Sequence, residues 1–220
     1  MEDNELLEFD GAFPDHLPPE GIFLRNYTER ARRAFAIELL QRYVPSKVGS
    51  ARFNEICQGR AEAAKSSESF FSTCGELAMF MWDRLGYRGL ILNRAVTLPT
   101  GVIRKYAYGK NMTYIRYDSG KERCWVTYHQ GKLPHPGDVL FVSNGPPKTE
   151  HVCIFHRVKE DGEWETFDAG QYDSNHLDQE CEIKSRRFHS PLLGDRKLHG
   201  WVDLSKLELP ASANLWVPEA

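Results

Sequence analysis

The sequence predicts an α+β fold, with helices in the first part of the chain and a mostly antiparallel sheet in the rest. Apolar residues recur at helical spacing in Thr28–Val44 and again in the stretch SFFSTCGELAMFMWDRLG, residues 69–86. From about Thr113 onward the apolar period falls to two. Short turn signals then join the strand-like runs: Asp118-Ser119-Gly120 first, and Asp161-Gly162 as the mark of a hairpin. Helices first and strands afterwards is the α+β order.

Taken in order, residues 1–26 read as an irregular arm, because Pro14, Pro18 and Pro19 spoil regular structure. Thr28–Val44 is a helix that Thr28 can cap; Ala31, Phe35, Leu39 and Tyr43 fall on one face, and Pro45 ends it. A second helix is expected over Arg52–Lys65, with Phe53, Ile56 and Ala64 inward and Gly59 against it. In the next helix Thr73 and Glu76 form a capping box, Cys74 takes the first helical position, and Gly86 suits the C-terminal end. Its residues Leu77 to Trp82 are apolar on nearly every face, so the helix is expected to be buried on most sides. Strands are expected at Leu90–Leu98, Thr113–Tyr117, Arg123–Tyr128, Val139–Ser143, His151–Val158, Glu163–Phe167, Glu182–Phe188 and Trp201–Leu204. Between Val102 and Met112 helix and irregular structure fit equally well. The division that follows is an N-terminal arm and helical extension, residues 1–65, and a catalytic domain, residues 66–220.

Composition narrows the function classes. Hydrophobic residues make up 41% and aromatic residues 12% of the 220, enough for a packed core. The formal net charge is −3 with no long basic run, which disfavours nucleic acid and anionic membrane as partners. No stretch approaches the roughly 18 apolar residues of a membrane span. The opening MEDNELLEFDGAFPDHLPPEG is acidic and rich in proline and glycine, unlike a signal or transit peptide. Synthesis in the cytoplasm is expected, with a specialised secretion route for any action outside the cell. The five cysteines are scattered and contain no C-x-x-C pair, so neither a disulfide framework nor a zinc ribbon is indicated.

One reactive thiol among structural ones is the simplest account of those cysteines, and Cys74 is the candidate. At a helix start the dipole favours thiolate over thiol. Such a thiol needs a base that takes its proton and later protonates a leaving amine. His151, at the start of the strand HVCIFHRV, is the candidate base; alternation puts it on one face with Cys153, and Val152, Ile154 and His156 on the other. A third polar group should orient the imidazole. Folding about Asp161-Gly162 brings Asp168 or Gln171 back towards His151. A plain residue count sets Gln171 across from His151 and Asp168 across from Ile154, on the wrong face. A bulge at Ala169-Gly170 would turn Asp168 inward. Asp168 is preferred because a carboxylate stabilises an imidazolium better than an amide does. A zinc site from Cys74, His151 and Cys153 matches no standard ligand spacing, and GxGxxG and P-loop patterns are absent, so no cofactor is expected.

The order Cys74, His151, Asp168 on helix, strand and neighbouring strand resembles the papain-like superfamily of thiol enzymes. Two branches share the likeness. The turn Pro136-Gly137-Asp138, the strand VLFV after it and the H-V-x-I-F strand resemble the NlpC/P60 amidases and endopeptidases, which cut amide bonds in peptidoglycan stem peptides. C-G-E-L-A followed by L-G-Y, with W-E-T-F-D-A after the histidine strand, looks like the transglutaminase-like core. The chain departs from the first branch at Thr73-Cys74-Gly75-Glu76, where those families usually have Asp-Cys-Ser-Gly, and from the second at Cys153, where an aromatic is usual. The resemblance covers residues 69–171.

The resemblance implies acyl transfer from an amide to Cys74, with His151 as general base then acid and Asp168 as orienter. The oxyanion would be held by the Cys74 N–H and a second donor, for which Ser72 and Ser69 are candidates. Expected partners are a peptide or peptidoglycan substrate and a delivery or inhibitor protein. The alternatives are a transglutaminase or deamidase acting on protein glutamines, and a non-catalytic relative that binds a peptide in the cleft. Trp82, Trp125 and Tyr128 are expected in the core rather than along a substrate groove.

Overall fold

A computed structural model describes residues 27–57, 73–85, 96–97, 103–104, 124–129, 132–143, 150–172, 179–187 and 197–207. The first helix, α1, spans Glu29–Tyr43, and Thr28 caps it by accepting the Ala31 N–H at 3.2 Å. Ala31, Phe35, Leu39 and Tyr43 are buried, as the spacing predicts. After a two-residue strand β1, Ser46–Lys47, a short helix α2 covers Ala51–Ile56 with Phe53 and Ile56 inward. Its expected continuation to Lys65 lies outside the described residues. Helix α3 runs Cys74–Arg84, with Cys74 first as expected, and Leu77, Ala78, Phe80, Met81 and Trp82 are all buried. Trp82 is thus a core residue, 1% exposed.

The strands that follow are β2 (Val96–Thr97), β3 (Ile103–Arg104), β4 (Trp125–Thr127), β5 (Val139–Ser143), β6 (Glu150–Val158), β7 (Trp164–Tyr172), β8 (Gln179–Arg186) and β9 (Lys197–Val202). Of the strand expected at Leu90–Leu98 the described part is β2, and Thr113–Tyr117 lies outside the described residues, as do Gly86, Ser69 and Ser72. Seven strands form one sheet in the order β1-β8-β7-β6-β5-β9-β4, and each pairing in it is antiparallel. β2 and β3 pair separately. The class is therefore α+β, helices first, with an antiparallel sheet.

The two faces of the sheet bury different things. Val139, Phe141, Val152, Ile154, Phe167, Ala169 and Cys181 join one apolar core with α1, α2 and α3. The alternate residues Leu140, Val142, Cys153, Phe155, Trp164 and Trp201 build a second cluster on the other face. Residues 27–57, read from the sequence as part of an extension, pack into the same core as α3. Among the described residues no helix is long and apolar enough to cross a membrane.

A buried arginine closes the helical layer onto the sheet. Arg33 of α1 donates to Asp138 at 2.7 Å, to Asp203 at 2.8 Å and to the Pro136 carbonyl at 2.9 Å. Asp138 also accepts the N–H groups of Leu204 and His135, each at 2.9 Å. Burial pushes its carboxyl up, while Arg33 and these two backbone donors pull it down. The aspartate of the Pro136-Gly137-Asp138 turn thus serves as an anchor between α1, β5 and the short 3-10 turn Leu204–Lys206.

Candidate active site

The hairpin of β6 and β7 positions the imidazole and the carboxylate. Near the turn at Asp161-Gly162 the ladder runs Val158↔Trp164 and Arg157↔Glu165, and beyond a register break it runs Phe155↔Thr166, Ile154↔Phe167 and Cys153↔Asp168. The extra residue is His156. It sits on the helical side, stacked on Phe167 with centroids 5.0 Å apart. Its Nδ1 lies 2.7 Å from Glu165 Oε1, close enough to pair electrostatically but too poorly aligned for a hydrogen bond. The one-residue shift puts Asp168 opposite Cys153, hence on the face of His151. A second break lies between Asp168 and Gln171 in the β7–β8 ladder, where Gly170 has φ 72°. The bulge expected at Ala169-Gly170 is therefore present, but the turn of Asp168 towards His151 comes from His156.

His151 Nε2 lies 2.7 Å from Asp168 Oδ1, and both residues are buried. The other carboxylate oxygen accepts the Thr166 hydroxyl at 2.5 Å. Arg186 of β8 donates to Asp168 Oδ1 and, through Nε, to Thr166 Oγ1 at 3.3 Å. Burial would raise the Asp168 pKa, but the His151 hydrogen bond and the Arg186 charge outweigh it and hold the carboxyl down at about 2. Asp168 is therefore an anion across the ordinary pH range. Burial pushes the Arg186 guanidinium down while the Cys153 thiol and Asp168 pull it up, and the balance is upward. The side chain of Gln171, the alternative third group, lies outside the described residues.

One thiol lies beside this pair. Cys153 shares its face, and Cys153 Sγ, a His151 ring nitrogen and an Asp168 oxygen all lie within 4.8 Å of one another. Cys74 starts α3, whose apolar side chains pack over Val152, Ile154, Phe167 and Ala169 on the other face. The helix start is pinned at the end of the sheet where β6 begins: the Thr73 N–H and hydroxyl donate to Gln179 Oε1 at 3.0 and 3.1 Å. The structure thus brings His151 and Asp168 into hydrogen-bond contact, sets Cys153 beside them and brings α3, which begins at Cys74, to the same end of the sheet.

Sequence reasoning missed Thr166 and Arg186. Thr166 was findable, since it stands two residues before Asp168 and so shares its face. Arg186 gave no signal, because its place depends on the β7–β8 register. All five cysteines are buried, and for Cys181 burial pushes the thiol up to about 12, which marks it as inert. A cleft of 1110 Å³ opens between α1 and the His156 end of β6, lined in part by Arg30, Ile37, His135 and His156. None of its lining residues is a cysteine. Compared with protein-family models, curated proteins and solved structures, the chain gave no match to any of them.

Proposed function

We propose that the chain is a thiol amidase or endopeptidase that cuts amide bonds through a cysteine thioester, with peptidoglycan stem peptides as its substrate. The observation that carries this reading is the buried His151–Asp168 hydrogen bond at 2.7 Å. A carboxylate on Nε2 fixes the tautomer and leaves Nδ1 as the nitrogen that exchanges a proton with thiol and leaving amine. Cys74 attacks the carbonyl carbon as its proton passes to His151. The imidazolium then protonates the departing amine, and a water activated by the same base hydrolyses the thioester. Asp168, an anion held by Arg186 and Thr166, stabilises the imidazolium between these steps. The protein would be made in the cytoplasm and delivered to its substrate outside the cell, with an inhibitor protein guarding the producer.

The identity of the third group favours a second reading. The order of Asp168 after the histidine strand resembles that of the transglutaminase-like core, so a transglutaminase or deamidase acting on protein glutamine would use the same thioester and differ in the acceptor. Incubating the protein with sacculi, and separately with a glutamine-containing protein and a primary amine, tells the two apart by new amino termini versus amine incorporation or ammonia. Cys74→Ala and His151→Ala should each abolish turnover, and iodoacetamide at about pH 6 should label Cys74 ahead of the other thiols. No turnover on either substrate together with uniform labelling would sink both readings.

A further inference from the structure

We propose that His151, Cys153 and Asp168 bind one zinc-class metal ion, and that the bound ion withholds His151 from the thiol chemistry above. The second half rests on the amidase reading; the first does not.

Imidazole nitrogen, thiolate sulfur and carboxylate oxygen are the three donor types that zinc takes from proteins, and the thiolate disfavours magnesium and calcium. The three donor atoms lie within 4.8 Å of one another, all in buried residues. Bonds of about 2.0 to 2.3 Å in a tetrahedral site place donors roughly 3.3 to 3.7 Å apart. The His151–Asp168 contact at 2.7 Å would have to open by well under 1 Å, and the sulfur, within 4.8 Å of both other donors, to close in by at most about 1.5 Å. Rotamer adjustment covers such movements without a change of backbone.

The backbone already holds the set in place. Cys153 is directly opposite Asp168 in the β6–β7 ladder, and His151 stands two residues before Cys153 on the same face. Outer contacts are present as well: Thr166 holds the second carboxylate oxygen, and hydrogen-bonded ligating carboxylates are the rule in metal sites. Arg186 works against the ion, since it shares Asp168 Oδ1. Its Nε bond to Thr166 Oγ1 gives the guanidinium a place to remain when the metal takes that oxygen. Two anionic donors match a divalent ion, and a water fills the fourth position. In the binding step the ion forms three bonds to the protein, the Cys153 S–H bond breaks and its proton leaves to solvent, and the His151 proton moves from Nε2 to Nδ1; no electron moves. His151 Nε2 then carries the metal and can no longer keep its bond to Asp168, so the base loses its orienting partner.

The test uses the full chain, reduced and stripped of metal by a chelator, titrated with cobalt(II) as a spectroscopic stand-in and with zinc by calorimetry. One ion per chain, a thiolate-to-cobalt charge-transfer absorption and release of one proton are expected. Cys153→Ser should abolish the absorption and weaken zinc binding at least roughly a hundredfold, while Cys74→Ser keeps both. Should Cys153→Ser not fold, His151→Gln carries the same comparison. Absence of stoichiometric binding, or an absorption that follows Cys74 rather than Cys153, would overturn the site. Binding is read without substrate, so a failed amidase assay leaves this result standing. Undiminished turnover at full zinc occupancy would overturn the withholding of His151.

Discussion

Replacing Asp168 by asparagine removes one negative charge from a site where Arg186, His151 and Thr166 all converge on it. The carboxyl is held at about 2 in the folded chain, against an ordinary value of 3.8. That gap corresponds to on the order of 2 kcal/mol of folding stability contributed by the ionised group. A group whose folded pKa is depressed contributes fully above its unfolded pKa and loses its contribution as pH falls through the folded one. The window is therefore about pH 4 down to about pH 2, and about 1 kcal/mol should already be gone at pH 3. Asparagine does not titrate, and it leaves Arg186 buried without its anion, a fault that costs about 3 kcal/mol or more. The assay is urea unfolding of both proteins at closely spaced pH values from about 6 to 3. Other carboxylates titrate in both proteins and cancel in the difference. The parent should exceed Asp168→Asn by about 3 kcal/mol at neutral pH, with the lead shrinking by about 1 kcal/mol at pH 3. A lead that stays constant over this range would refute the linkage, and with it the claim that Asp168 is held ionised by its neighbours.

Two further substitutions probe the frame around the site. A methyl group on Gly200 would sit 2.3 Å from the Val126 carbonyl oxygen and 2.6 Å from the Trp125 ring, so Gly200→Ala should cost on the order of 3 kcal/mol, seen as a lower urea midpoint. Arg33→Met leaves Asp138 buried without its cation and should cost about 3 to 5 kcal/mol, whereas the double substitution Arg33→Met with Asp138→Leu should recover part of that loss.

Where the sequence was informative, the signal was local. Thr28 and the spacing of Ala31, Phe35, Leu39 and Tyr43 are enough to place α1. Val139–Ser143 is a strand at the expected bounds because its apolar run starts after a Pro-Gly-Asp turn. The pairing of β1 with β8 and the insertion of β9 between β5 and β4 left no local trace, since they depend on contacts between distant segments. The site followed the same division. His151 and Asp168 were legible as residue types, although Asp168 stands in the middle of β7, which runs past the expected end at Phe167 to Tyr172, and alternation correctly put Cys153 on the face of His151. The face of Asp168 turned on one extra residue, His156, whose stacking on Phe167 a residue count cannot foresee.

The Arg33 clasp also bears on how the chain reaches this fold. Its partners Asp138 and Asp203 lie 105 and 170 residues further along the sequence. Contacts of that separation form after the loops between them have closed, so the clasp completes late, once β5 and the turn after β9 are in place. Interactions made after the barrier act on escape from the native state rather than on arrival. Weakening the clasp should therefore steepen the rate of opening and leave refolding nearly unchanged in stopped-flow traces. Arg33 would then act as a latch on lifetime, protecting the folded chain from irreversible loss by slow opening more than by a favourable equilibrium.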